Sequence, residues 1–440
     1  MRLMYERCAA LDVHKKTVTA CTRWTQANGQ VKSDVRTFGT TTPELLEMMD
    51  WLSEWEVTTV AIESTGEYWK PVFNLLEGNF EVVLVNAKHV KQVPGRKTDV
   101  KDADWLAELL SYGLLKASYI PAKPQRDLRD LTRHRVKLVQ ERARIVNRLQ
   151  KVLEHANIKL ASVATDVMGV SGREMLAALV EGETDAAVMA DLARGRMRNK
   201  MEALEQALTG VVRPHHRFML AQHLAHIDFL DEQIETVNSE IGQRIEAMSR
   251  PSGPGDNPSS GDGSTRANEG LTWVESVKLL DSAPGVDKRA AEIVLAEMGI
   301  DMSQFKTANH LTAWAGLAPG NNQSGSKRRK AKTREGNRTL REIMVQIAWA
   351  ASRKKGSYAQ ALYRRLAGRR GKKRAIIAVA RTLLESFWYM LSRHEPYKEL
   401  GGDYFDQRRK EVKVNVLTKQ LEKLGYAVQL ETVKVQLEPA

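Results

Sequence analysis

The sequence predicts three parts: an α/β domain at the N-terminus, a long helical arm, and a mainly α-helical basic domain. Three observations predict them. Strand-period and helix-period apolar patterns alternate over the first ~115 residues. Two long stretches then place apolar residues at three- and four-residue spacing. A Pro-, Gly-, Ser- and Asp-rich segment, 249–270, separates them from a further helical run that ends near Arg393. With 440 residues, 42% of them hydrophobic, the chain can bury more than one core and is globular.

The elements of the first domain, 1–120, follow in order. Cys8 to His14 reads as a strand and Thr17 to Trp24 as a second. Asn28-Gly29 is a hairpin turn signal leading into a third strand, Val31 to Phe38. Thr42-Pro43-Glu44 starts a helix, with Thr42 expected as N-cap and Pro43 as the first helical residue. Thr58 to Ile62 is a fourth strand and Trp69 to Leu76 a short helix. Phe80 to Val85 is a fifth strand, so apolar that a central place in the sheet is expected. A helix from Val100 to Tyr112 follows. The order β-β-β-α-β-α-β-α is that of the ribonuclease-H-like fold.

The arm, 121–248, begins with a charged helix from Pro124 to Ile158, whose Leu128, Leu131, Leu138, Ile145, Leu149 and Val152 are spaced like a coiled-coil seam. A smaller helical stretch covers 171–210. A second amphipathic helix runs from Ala221 to Met248, with Leu224, Ile227, Leu230, Ile234, Val237 and Ile241 as its stripe. The two long helices are expected to form an antiparallel arm or to pair with another subunit. Segment 249–270 is the linker, 271–393 the basic helical domain, and 394–440 a mixed-charge tail with one strand-like piece, Tyr426 to Val433.

A net charge of +13 and a pI near 9.5 suit nucleic acid, and the excess crowds into 123–151 and 327–374. An anionic membrane is the weaker reading, since the longest apolar stretch, Ile343 to Ala351, is too short to span a bilayer. The two cysteines, Cys8 and Cys21, fall on neighbouring expected strands without demanding a disulfide, and no Cys/His spacing reads as a zinc site. The segment Met1 to Arg7 lacks a signal-peptide core, so a reduced, cytoplasmic protein is expected. His14, His215 and His216 read as structural or surface residues.

Four carboxylates stand out. Asp12 follows Cys8-Ala9-Ala10-Leu11, and Glu63 follows Thr59-Val60-Ala61-Ile62. Asp99 and Asp102 open a helix three positions apart, hence on one face. The four fall in the slots where a ribonuclease-H-like fold holds metal: the first strand, the end of the fourth, and the last helix. Clustered carboxylates repel unless a cation lies between them, and Mg2+ suits an all-oxygen site. Two such ions can clamp a phosphodiester in line.

The C-terminal domain carries a second constellation. Leu280-Asp281-Ser282-Ala283-Pro284-Gly285-Val286, followed by an apolar helix from Ala290 to Met298, is similar to one hairpin of a helix-hairpin-helix motif, whose amides hold a DNA phosphate. Beyond Trp314 to Gly320 lies Ser324 in a Gly-rich loop. The basic residues Lys327, Arg328, Arg329, Lys330, Lys332 and Arg334 come next, and then Arg338 and Arg341 on an entering helix. A serine hydroxyl attacks phosphate only with a base, a metal or a cationic field to activate it. Arg328, Arg338 and Arg341 could supply charge to the transition state.

Together, five sets of residues resemble the DEDD transposases of bacterial insertion sequences, serine recombinases guided by a bridge RNA. They are Leu11-Asp12-Val13-His14-Lys15, Glu63-Ser64-Thr65-Gly66, Lys97-Thr98-Asp99 with Asp102-Ala103, Gly169-Val170-Ser171-Gly172-Arg173, and Gly316-Leu317-Ala318-Pro319 with Gln323-Ser324-Gly325. The resemblance covers roughly residues 1–390. It implies a RuvC-like domain with Asp12, Glu63, Asp99 and Asp102 as Mg2+ ligands. It also implies a coiled-coil arm for homo-oligomerisation to a dimer or tetramer, and Ser324 as nucleophile. Donor and target DNA are then cut through a phosphoserine link and exchanged through a Holliday-junction-like intermediate. Active sites are composite between subunits, and a structured guide RNA pairs with both DNAs. Two positions depart from that pattern. Gln323 stands where a second serine is usual, which leaves Ser324 and Ser326 both open as nucleophile, and Asp287 replaces the second glycine of the hairpin turn. Two other functions share parts of this sequence: a hydrolytic junction resolvase or nuclease using the carboxylates alone, and a non-catalytic nucleic-acid-binding protein.

Overall fold

The computed structural model describes residues 3–26, 29–64, 66–85, 99–250, 270–320, 323–324, 327–328, 333, 335–408 and 410–429. Of residues 64, 99–101, 323–324, 327–328 and 411–413 it describes the backbone only. The chain divides into two compact units, 1–122 with 251–268, and 123–250 with 269–440. Most of the expected linker, 251–269, lies outside the described residues, as does Asn28 of the expected hairpin turn.

In the first unit, strands β1 (Arg7–Val13), β2 (Thr17–Thr25), β3 (Val31–Gly39), β4 (Thr59–Ser64) and β5 (Glu81–Val85) form one mixed sheet in the order β3-β2-β1-β4-β5. The first three are antiparallel, and β1, β4 and β5 run parallel. Their apolar alternation sorts side chains to two faces. Ala9, Leu11 and Val13 pack with Leu45, Met48 and Leu52 of α1 (Thr42–Glu54) and with Val72 and Leu76 of α2 (Trp69–Leu76). Cys8, Ala10, Cys21, Ala61 and Val85 pack on the other face against Ala103, Leu106, Ala107 and Leu110 of α3 (Asp99–Ser111). A mixed sheet layered with helices on both faces is compatible with the expected ribonuclease-H-like domain.

Two expectations are corrected. The N-cap of α1 is Thr41, one residue earlier than expected; Glu44 accepts from the Thr41 N–H at 3.2 Å and from its hydroxyl at 2.5 Å, and Pro43 lies inside the first turn, where its missing N–H costs nothing. Strand β5 is at the sheet edge, not its centre, and only Val85 of it is buried. Its outer edge is partly closed by the Val85–Ala117 bridge and by Ser118 N–H donating to Leu84 at 2.8 Å, which explains how an apolar strand survives there. Both cysteines are free and buried, and burial pushes each thiol up to about 12.

The second unit is built on two long helices, α4 (Lys123–His155) and α5 (Pro214–Ser249). They run antiparallel: Asp127 meets Arg244, Arg135 meets Asn238, Arg142 meets Asp231, and His155 meets His216. Their far ends share a core with the short helices of 160–208, centred on Leu149, Leu153, Leu176, Leu204 and Leu220. Within the same unit, α6 (Trp273–Asp281), α7 (Lys288–Met298), α8 (Ala308–Trp314), α9 (Arg338–Arg353), α10 (Tyr358–Arg370) and α11 (Lys372–Arg393) pack together. By length and composition α11 could cross a bilayer, contrary to the estimate from Ile343 to Ala351; half of its apolar window is buried, through residues such as Ile376, Leu383 and Phe387. The tail holds a helix, α12 (Lys410–Lys423), where none was expected. Residues 426–429 of the strand-like piece are irregular, and the rest lies outside the described residues.

The basic stretch at 123–151 is less a surface than its sequence suggests. Arg133 grips Glu297 with two bonds of 2.7 and 2.9 Å, Arg129 reaches the same carboxylate at 3.3 Å, and Arg135 bonds Glu292 at 2.5 Å. Glu297 is fully buried, and Arg135 and Glu292 nearly so. These arginines lock α4 to α7 instead of facing a ligand. Lys137, Arg144, Arg148 and Lys151 remain exposed.

Candidate active site

Strands β1 and β4 are parallel neighbours in direct register, and Asp12 pairs with Glu63 one residue before each strand ends. The carboxyl ends of parallel strands are where open α/β sheets hold ligands. Asp12 is two residues beyond Ala10 and Glu63 two beyond Ala61, so both acids belong to the face covered by α3. That helix carries the other two acids. The backbone places Asp99 at its first position, and Asp102 is half-buried one residue before Ala103, which packs on the sheet. The fold thus brings Asp12 and Glu63 side by side and sets the N-terminal turn of α3 on the same face. An apolar layer (Cys8, Ala10, Ala61, Ala103) lies behind them, and Asp12 keeps 19% side-chain exposure. Two carboxylates on neighbouring strand ends are oxygen donors of the kind a hard divalent cation takes.

Ser324 belongs to the second unit. Strands β6 (Gln323–Ser324) and β7 (Lys327–Arg328) form a hairpin in which Ser324 pairs with Lys327. A Pro319–Thr333 bridge closes its base. Below it the chain is fixed. Asn337 caps α9 through Leu340 N–H at 3.0 Å and donates to the buried Glu297 at 2.6 Å. Gly336 packs so closely on Trp314 and Gly316 that a Cβ would collide with their backbone. The hairpin therefore stands on a rigid base. Ser326, Arg329, Lys330, Lys332 and Arg334 lie outside the described residues. Arg338 is exposed and paired with Glu342 at 2.8 Å, and Arg341 is half-buried.

Residues 9–158 match the DEDD transposase family of IS110, and residues 277–364 match the IS116/IS110/IS902 transposase family. The chain belongs to the IS110 family of transposases. The transposase for insertion sequence element IS1111A of Coxiella burnetii is 24% identical to it, over 78% of this chain and 80% of that protein. The IS116 protein of Streptomyces clavuligerus is 25% identical, over 79% and 86%. A pilin gene-inverting protein of Moraxella bovis is 31% identical over 27% of this chain and 38% of its own. The two family matches include the acid-bearing sheet and the serine hairpin, and stop short of the tail.

Several residues of this transposase were not legible beforehand. His14, read as a structural or surface residue, is exposed, and its Nε2 lies 3.2 Å from Asp12 Oδ2; the two-residue spacing was the signal for that contact. His216 is buried, not exposed, and burial holds it below its ordinary value. It meets His155 and His215 at the junction of α4 and α5. Arg213 N–H donates to His216 Nδ1 at 3.2 Å, so the neutral ring carries its proton on Nε2 and donates to His155 Nδ1 at 2.9 Å. That tautomer leaves His216 no lone pair for a metal. Asp287, which stands in place of the second glycine of the hairpin turn, caps α7 by accepting from Ala290 N–H at 2.7 Å. Gly285 beside it has φ +78° and packs on α9, where a Cβ would lie 2.5 Å from Ala351 N. The turn thus packs on α9 at Gly285, and its carboxylate occupies one of the amides at the start of α7.

Proposed function

We propose that this transposase cuts and rejoins DNA through a phosphoserine intermediate formed at Ser324, with Asp12, Glu63, Asp99 and Asp102 acting on the same phosphodiester. The observation that carries the reading is the register pairing of Asp12 with Glu63 on the face covered by α3. Two carboxylates held side by side at parallel strand ends offer the oxygen donors that suit a bound Mg2+. Bound there, the ion would supply positive charge to the phosphate oxygens.

The residues of the chain divide the remaining work. Asp12, Glu63 and Asp102 supply oxygen donors, and His14 orients Asp12. Ser324 attacks phosphorus, its proton passing to a carboxylate or solvent base, and the 3′- or 5′-oxygen of the cut strand leaves. Lys327, Arg328, Arg329, Lys330, Lys332, Arg334, Arg338 and Arg341 hold the DNA or RNA backbone. A structured guide RNA choosing donor and target by base pairing, and assembly as a dimer or tetramer through the long helices, complete the reading, in the cytoplasm. Both are what the resemblance to bridge-RNA-guided DEDD transposases implies.

The test is to incubate the protein with the ends of its element and Mg2+ and look for a protease-sensitive DNA adduct. Wild type should give an adduct that maps to Ser324, and Ser324→Ala should give none. Cleavage that persists in Ser324→Ala would favour the hydrolytic reading, and an adduct at Ser326 would move the nucleophile.

A further inference from the structure

No carboxylate occurs between Glu342 and Glu385. Within that span the corner joining α10 to α11 exposes Arg364, Arg369, Arg370, Lys372, Lys373 and Arg374. Among the described residues none of the six has an ion-pair partner, whereas Arg129, Arg133, Arg135, Arg142, Arg173 and Arg381 each bind a carboxylate. The contrast is physical: cations left unpaired beside one another repel, and repulsion is tolerated where an anion relieves it. Lys372, Lys373 and Arg374 also stand at the first turn of a 22-residue helix, the end where the dipole opposes positive charge, and Gly371 offers that turn no side-chain cap.

The corner is rigid. Ala375 and Ile376 anchor α11 in the core, and Arg365 lies over Phe405 at 4.7 Å, tying α10 to the tail. No aromatic residue occurs from 364 to 386, so nothing there offers a platform for unstacked bases. What remains is a fixed array of cations, which reads backbone phosphate.

We propose that the α10–α11 corner is a seat for the phosphate backbone of duplex DNA, distinct in sequence from the serine hairpin and, except for Arg364, beyond the matched segment 277–364. It rests on the chain being a transposase acting on DNA, and not on the serine chemistry.

The test uses the full-length protein and a duplex of arbitrary sequence, with binding measured between about 50 and about 200 mM salt. Replacing Arg369, Arg370, Lys372, Lys373 and Arg374 by Gln should lower the log–log salt slope by roughly 3–4 and weaken binding at ~100 mM salt by about 10²-fold or more. Arg196→Gln with Arg198→Gln, exposed cations elsewhere, should leave the slope unchanged. A slope unaffected by the five replacements, or lowered equally by the control pair, would overturn the proposal, as would a loss confined to structured RNA. Should the five-fold variant fold poorly, acetylation of wild type replaces it: bound duplex should shield Lys372 and Lys373, and unshielded lysines overturn the assignment. Ser324→Ala should keep the full slope, so failure of the serine chemistry and failure of this surface are read apart.

Discussion

Two arginine-rich stretches look alike as sequence and differ in the fold. Along α4, Arg129, Arg133 and Arg135 turn inward to Glu297 and Glu292, carboxylates that they almost wholly enclose. At the α10–α11 corner the cations face solvent with no carboxylate in reach among the described residues. Charge density alone does not identify a nucleic-acid surface; the partner of each charge does. Partners separated by 164 residues, as Arg133 and Glu297 are, cannot be found by local pattern.

The largest effect should come from Glu297→Ala. It leaves Arg129 and Arg133 with an uncompensated buried interaction and frees Asn337 beneath the serine hairpin. A loss of about 3 kcal/mol in urea denaturation is expected, with little change in the salt slope of DNA binding. A stable Glu297→Ala protein whose salt slope changes would reverse the assignment of the two stretches.

A smaller effect should follow pH at the other end of the long helices. Burial lowers His216 below the ordinary imidazole value of about 6.5. The unfolded chain then binds the proton more readily than the folded one. Stability is therefore full above pH ~6.5 and falls as the pH drops through the depressed folded value. Arg213, His155 and His215 face the ring, and each disfavours its protonation. Thermal melting of wild type should decline below that pH, and His216→Gln should flatten the decline.

What was legible beforehand follows from the range of the forces involved. Strand alternation and helix periodicity are local, so β1 to β5 and α1 to α3 emerge within one or two residues of their observed ends. Three consecutive threonines, Thr40 to Thr42, hid which one caps α1. The place of β5 was misread because an apolar strand reports shielding on its faces, and sheet order depends on pairing. The acids at 12 and 63 could be named from where they fall along their strands. Their direct pairing, and His14 beside Asp12, required the sheet.

Asp12 and Glu63 are proposed to act as one unit on one cation, and cleavage kinetics of Asp12→Asn, Glu63→Gln and the double variant separate that from independent action. Each single change should slow Mg2+-dependent strand cleavage by about 10³-fold, and the double should be little slower than either, as expected of residues that act together. Losses that multiply in the double variant, or a single variant cleaving at the wild-type rate, would contradict it.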